Sequence, residues 1–296
     1  MSVSREDVEY WQGSSRLRGW FYPTRDAPGP AIVFCPGYTG TKFAAFYTPY
    51  VERFVAAGWN VLLSDYRGWG ESDGPRGEIV PMRQVADIRA GLTYLQTRSE
   101  VDETALSVFG VSFGGGVAVY TASIDSRVRT CVAVSAVADG SDWLRRMRRE
   151  YEWYEFLDFA GSDQRKRVGG GEATLVDPAN GLMIPTPERR STKVKGQLPP
   201  GLEVNATPLW CALEIMDFRP IDVVQRLAPR ALLLFSLSAD AVVPPAHSQS
   251  LFSAASEPKR LVSLKGEGHY GAYIEHLEAI STGTIDWLRN HGTVGG

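Results

Sequence analysis

Cysteine, histidine, net charge and long apolar runs are all scarce in this chain of 296 residues, and each scarcity excludes something. The three cysteines, Cys35, Cys131 and Cys211, are scattered and odd in number, so they form neither a disulfide framework nor a metal-ligand spacing. Two of them sit inside apolar strand-like runs, where buried reduced thiols are expected. With 31 basic against 34 acidic residues, the formal charge is −3. That balance offers no footprint for nucleic acid or an anionic membrane. No apolar run approaches the roughly 20 residues needed to span a bilayer. The opening MSVSREDVEYWQG has no apolar h-region of the kind a secretory signal carries. The expectation is a cytoplasmic protein, monomer or homodimer, without nucleic-acid or membrane partners.

What the chain does have is a globular composition, 44% hydrophobic and 22% charged, which is enough for a sizeable core. VEYWQG and LRGWFYP read as an antiparallel hairpin. AIVFC, WNVLLS, ALSVFG, VRTCVAVSAV, ALLLFSLSA and KRLVSLKG read as further strands. Helical patterns separate most of them, among them KFAAFYTPYVERFVAAG, ending at Gly58, and VPMRQVADIRAGLTYLQTRS, with Pro81 near its start. Such alternation predicts an α/β fold: a mostly parallel, eight-stranded sheet with helices on both faces. The alternation breaks once, from about Asp139 to Pro220. A structureless loop of that length is improbable in a compact domain. The segment, which contains the aromatic-rich and helical DWLRRMRREYEWYEFLDF, reads as an inserted, mainly helical cap. The predicted organisation is a core in two parts, 1–138 and 221–296, with the cap over 139–220.

Gly110-Val111-Ser112-Phe113-Gly114 matches G-x-S-x-G, directly after a strand pattern and directly before a plausible helix. Strand, elbow and helix are the context this motif requires. A nucleophile exposed at so tight a turn takes unfavourable backbone angles, and its neighbours two residues away must lack bulk. A serine also needs a base, and the base a group that orients it. Of the four histidines, His269 follows the last strand in a glycine-flanked loop; His247, His276 and His291 fall in helical stretches. Asp240, at the carboxyl end of the penultimate strand, is the favoured acid, with Asp139 its rival. An oxyanion also needs donors. Phe113 N–H is one, and the loop PGYTGTK supplies the other through Tyr38.

The segments CPGYTG, DYRGWGESDG, GVSFGG, SADAVVPPAHS and GEGHYGAY, in that order, resemble the α/β-hydrolase superfamily from about Asp7 to Arg289. Within it the chain looks closest to acyl esterases and to X-prolyl or proline-type serine peptidases with a cap after the sixth strand. The resemblance implies Ser112 as nucleophile, His269 as general base, Asp240 as its orienter, and Phe113 and Tyr38 as oxyanion donors. It implies no metal and no organic cofactor. Many members carry His-Gly where this chain has Pro36-Gly37; in some esterase relatives a tyrosine hydroxyl serves there, so Tyr38 is open to acting by its backbone or by its hydroxyl. The implied activity is that of a carboxylesterase, on a simple ester, a lactone or a secondary-metabolite ester. A proline-type aminopeptidase or amidase, an acyltransferase and a non-catalytic binding member are the alternatives. Cap aromatics, among them Trp143, Trp153, Tyr154 and Trp210, are candidates for the substrate pocket or for packing the cap onto the body. Glu150, Glu152 and Glu155 are candidates for holding a substrate ammonium or for a solvated helix face. Asp65, Arg67 and Ser72 read as braces of their loop.

Overall fold

The strands alternate their side chains between two hydrophobic layers, and this explains why a sheet with both faces covered forms. In β3 (Gly29–Cys35), Ala31, Val33 and Cys35 join one layer while Ile32 and Phe34 join the other. The same division separates Leu106 and Val108 from Phe109 and Val111 in β5 (Val101–Val111). The computed structural model describes residues 3–24, 28–191 and 198–293.

Among the described residues one sheet also holds β1 (Glu6–Gln12), β2 (Ser15–Tyr22), β4 (Asn60–Ser64) and β6 (Val128–Val134). Helices α1 (Thr48–Ala56), α2 (Pro81–Gln96) and α3 (Phe113–Ile124) lie between its strands. After β6 come α4 (Gly140–Arg146), α5 (Glu150–Val168), the two-residue strand β7 (Leu175–Val176), a π-helical turn over Pro178–Leu182, α6 (Pro187–Ser191), β8 (Thr207–Pro208) and α7 (Cys211–Met216). The core resumes with β9 (Ala231–Leu237), α8 (Pro245–Ala254), β10 (Lys259–Leu264) and α9 (Leu277–His291). The eight-stranded order is β1-β2-β4-β3-β5-β6-β9-β10, and β7 pairs with β8 separately. Only the β1–β2 and β2–β4 pairs of the large sheet are antiparallel. The mostly parallel α/β sheet expected from the sequence is therefore the architecture observed.

The long helix expected at 142–159 is two helices, because two caps divide it. The Asp139 carboxylate accepts from Asp142 N at 3.0 Å and opens α4. The Glu152 carboxylate accepts from Arg149 N at 2.7 Å and opens α5. After α5 the insertion continues through β7, the π-helical turn and α6. No helix among the described residues is long and apolar enough to cross a membrane.

The parallel strands end on one edge of the sheet. The chain runs from β3 to β4 on one side and returns to β5 on the other, so strand order reverses between β3 and β5. Ligands of open α/β sheets bind at such a reversal, outside the carboxyl ends of the strands.

Candidate active site

Ser112 stands at that reversal, between the last residue of β5 and the first of α3. Its φ is +62°, in the left-handed region, a conformation costing about 1–3 kcal/mol for a residue with a Cβ. Surrounding bonds impose it: Ser112 N donates to Val134 O at 2.8 Å, and Ser112 O accepts from Gly115 N at 2.9 Å. Glycine is required on either side. A Cβ on Gly110 would come 2.2 Å from the Gly114 carbonyl oxygen, and one on Gly114 would come 2.2 Å from that of Cys35. Phe113, the first residue of α3, carries an amide with no intrahelical acceptor.

Asp240 and His269 meet from the loops after β9 and β10, beyond β6 along the same edge. Asp240 Oδ2 lies 2.7 Å from His269 Nδ1. Its Oδ1 accepts from Val242 N at 2.9 Å and Val243 N at 2.8 Å. Burial pushes the Asp240 carboxyl up, but the charge and hydrogen bond of His269 and the Val243 amide outweigh it and hold it below the ordinary value. An ionised carboxylate makes Nδ1 the protonated nitrogen, which leaves Nε2 as the basic one. Asp139, the rival acid, is engaged elsewhere: it caps α4 and pairs with Arg219.

The loop after β3 presses on the elbow. A Cβ on Gly37 would lie 3.8 Å from Ser112 Cβ. Tyr47 Oη accepts from Gly37 N at 2.8 Å, and Tyr66 Oη donates to Pro36 O at 3.3 Å. Lys42, buried, anchors the far end of the loop with its ammonium 3.0 Å from Asp65 Oδ2 and 2.5 Å from Glu71 Oε2. Asp65 also accepts from Lys42 N and Glu71 N, Ser72 Oγ donates to Asp65 O, and Arg67 pairs with Asp87. These residues brace loops, as their sequence pattern suggested. The Tyr38 hydroxyl donates to Pro178 O at 2.9 Å, and its ring packs edge-on against Phe113 and Trp143.

Ser112, Tyr38 and His269 line a cavity of about 480 Å³, within the range of small-molecule sites. Its floor includes Gly37, Phe46, Tyr47 and Tyr273, and its far wall comes from the insertion through Asp177, Pro178, Met183, Arg189, Leu202 and Val204.

A family model described as serine aminopeptidase S33 matches residues 26–154. The thiohydrolase of Eupenicillium brefeldianum is 30% identical over 281 residues, covering 90% of this chain and 87% of that protein. The chain belongs to the α/β-hydrolase superfamily. A polyketide transferase of Penicillium sp. is 27% identical to this hydrolase over 299 residues, 98% of each chain. The crystal structure of the α/β hydrolase GrgF from Penicillium sp. sh18 matches it with a TM-score of 0.80 at 25% identity, covering 98% of this chain and 99% of that one.

The four aromatics of the insertion expected at the substrate pocket of this hydrolase lie elsewhere than the cavity wall. Trp143 is fully buried behind Tyr38 and donates its indole N–H to Val242 O at 2.8 Å. Trp153 packs on Phe156 within the insertion, and Tyr154 is exposed. Trp210 is half-buried at the start of α7. Among the described residues that line the cavity, none of these four is found. They were nominated for being aromatic, yet aromatic residues pack cores as readily as they line pockets. The insertion residues that do line the wall sit in LVDPANGLMIPTPERR and in the stretch 198–205; the Asp-Pro and Asn-Gly pairs of the first read as turns, and neither stretch carries a chemical signature. No local pattern marks Tyr47, Lys42 or Glu188 for a related reason: each acts on backbone or charge 10 or more residues away, Glu188 across 81.

Proposed function

We propose that this chain is a serine hydrolase of acyl esters or thioesters working through an acyl-enzyme. Ser112 Oγ attacks the acyl carbonyl while His269 Nε2 takes its proton. Asp240 holds the imidazole by Nδ1 and stabilises the imidazolium that forms. The N–H groups of Phe113 and Tyr38 receive the oxyanion, aided by the N-terminus of α3. The same imidazole protonates the leaving alcohol or thiol, and water then repeats the sequence on the acyl-enzyme. The observation that carries this reading is His269, 2.7 Å from Asp240, lining one cavity with a serine at positive φ. The 82-residue insertion, 139–220, serves as cap and sets substrate choice through 177–189 and 198–205.

The thiohydrolase relative supports including thioesters. The polyketide transferase relative, matched over 98% of both chains, favours acyl transfer as a second reading, in which a bound nucleophile replaces water. The aminopeptidase reading gains nothing from the cap carboxylates. Glu150 pairs with Arg145, Glu152 caps α5, and Glu155 is exposed.

The test is turnover of p-nitrophenyl esters and acyl thioesters by the wild type and Ser112→Ala, with and without added alcohol. Turnover lowered by at least about 10³-fold in the variant supports the nucleophile. Ester products formed from added alcohol select transfer. Wild-type silence together with no labelling of Ser112 by a fluorophosphonate overturns the reading.

A further inference from the structure

Helix α6 carries two adjacent charged residues that face different ways. Glu188 reaches the loop holding the candidate base: its carboxylate accepts from His269 N at 3.2 Å and from Tyr270 N at 2.8 Å. The fit is close enough that a Cβ on Gly268 would lie 2.5 Å from Glu188 Oε2. The neighbouring Arg189 lines the cavity instead. Because Glu188 ties α6 to the base loop, Arg189 is held at a set distance from the reacting centre.

The guanidinium is placed but not neutralised. Its Nη1 donates to Ala179 O at 3.2 Å and sits 3.2 Å from Met183 Sδ. Among the described residues, no carboxylate lies within ion-pair distance of it. Asp177 also lines the cavity, but its oxygens are used by its own turn, accepting from Ala179 N at 2.7 Å and Asn180 Nδ2 at 2.6 Å. Arginine offers five N–H donors in a planar fork that fits a carboxylate in bidentate fashion. The charge of Arg189 is felt by Tyr38, Asp177 and Tyr270, three other cavity-lining groups.

We propose that Arg189 is an anion subsite of the cavity, and that the substrate carries a carboxylate remote from its scissile carbonyl. This assignment rests on the acyl-hydrolase reading and narrows it to acyl groups with an acidic far end. The cavity lining also carries the apolar side chains of Met183, Leu202, Val204 and Val242, which suit a hydrocarbon spacer joining the acid to the carbonyl.

The probes are mono-p-nitrophenyl esters of dicarboxylic acids of increasing length, each paired with its neutral methyl ester. The readout is the ratio of kcat/KM within each pair. For the wild type the acid member is preferred by about tenfold or more at one or two spacer lengths, the scale of a charge-assisted hydrogen bond. Arg189→Gln brings that ratio towards one, and Arg189→Lys restores part of it. A wild-type ratio at or below one for every length, or an unchanged ratio in Arg189→Gln, overturns the subsite. Free dicarboxylic acids give a second measurement that does not depend on turnover. Thermal stabilisation of the wild type but not of Arg189→Gln supports the subsite even if no ester is cleaved. Equal stabilisation of both, or of neither, overturns it. Failure of the hydrolase reading shows separately, as absent fluorophosphonate labelling of Ser112.

Discussion

The carboxyl edge of the sheet and the insertion that faces it bound the same cavity but are held by different means. Around Ser112, backbone meets backbone: the elbow and the end of β6 touch through carbonyls and amides, with no room for an added Cβ at Gly110 or Gly114, while Tyr47, Tyr66 and Lys42 brace the loop after β3. In the insertion, side chains tie short elements together: Tyr38 to Pro178, Arg148 to Leu182, Glu188 to the base loop. Backbone contacts tolerate almost no substitution, whereas side-chain ties can be exchanged one at a time. Under the proposed hydrolase reading, chemistry that needs fixed geometry falls to the first and substrate choice to the second.

Glycine substitutions break this comparison with the largest effect. Gly110→Ala forces a Cβ against the Gly114 carbonyl; a loss of more than about 3 kcal/mol in urea unfolding, or failure to fold, is expected. Gly161→Ala, in α5 of the insertion, meets only Arg165 Nη1 at 3.5 Å and should gain about 0.5–1 kcal/mol from helix propensity. Equal penalties at the two sites would erase the distinction. Next comes the tie between the two regions. Glu188→Ala should lower kcat by about 10- to 100-fold through misplacement of the base, with KM little changed and Glu188→Gln recovering part of the loss. A change confined to KM would make Glu188 a substrate contact instead.

Charge pairs of the core, away from the carboxyl edge, and of the insertion differ at smaller scale. Burial raises the Asp125 carboxyl, but hydrogen bonds from Arg127 and Arg89 outweigh it and hold the group at about 2, below its ordinary 3.8. A depressed folded value means that the pair stabilises above the unfolded value and is lost as pH falls towards 2. Asp125→Asn should therefore cost about 1–2 kcal/mol at neutral pH after allowance for solvent screening, and the gap to the wild type should close between pH 4 and 2. The exposed Glu150–Arg145 pair of the insertion should show no such gap when Glu150→Gln is unfolded beside it. The smallest effect is expected at Tyr38→Phe. Its hydroxyl is used on Pro178 O, so kcat within about twofold of wild type and about 1 kcal/mol less stability are expected. A large kcat loss would move the hydroxyl into the oxyanion site.

Strands and helices of the core were legible because burial on both faces of a sheet writes itself as continuous apolar runs, such as AIVFC and ALLLF. The G-x-S-x-G pattern around Ser112 was legible because its cause is local: the residues that must be small are two positions away. Asp240 and His269 could be nominated because each follows a strand whose end is marked. Division of 142–159 into two helices was not, since Arg149 is an unusual residue to open one. The cavity wall was less legible still. Arg189 and Glu188 lie one residue apart yet face a cavity and a backbone loop, and α6 is too short for periodicity to say which faces which.

The sequence by itself determined the layered sheet, the position of the elbow and the order of the three candidate catalytic residues, because each depends on patterns within a few residues or on strand ends. Only the tertiary structure decided that Trp143 supports Tyr38 rather than lining the cavity, that Lys42 anchors the loop beside Ser112, and that Glu188 bridges to the base loop 81 residues away. Those roles are set by which segments the fold brings within about 3 Å of one another, and hydrogen bonding at that range leaves no period in the chain.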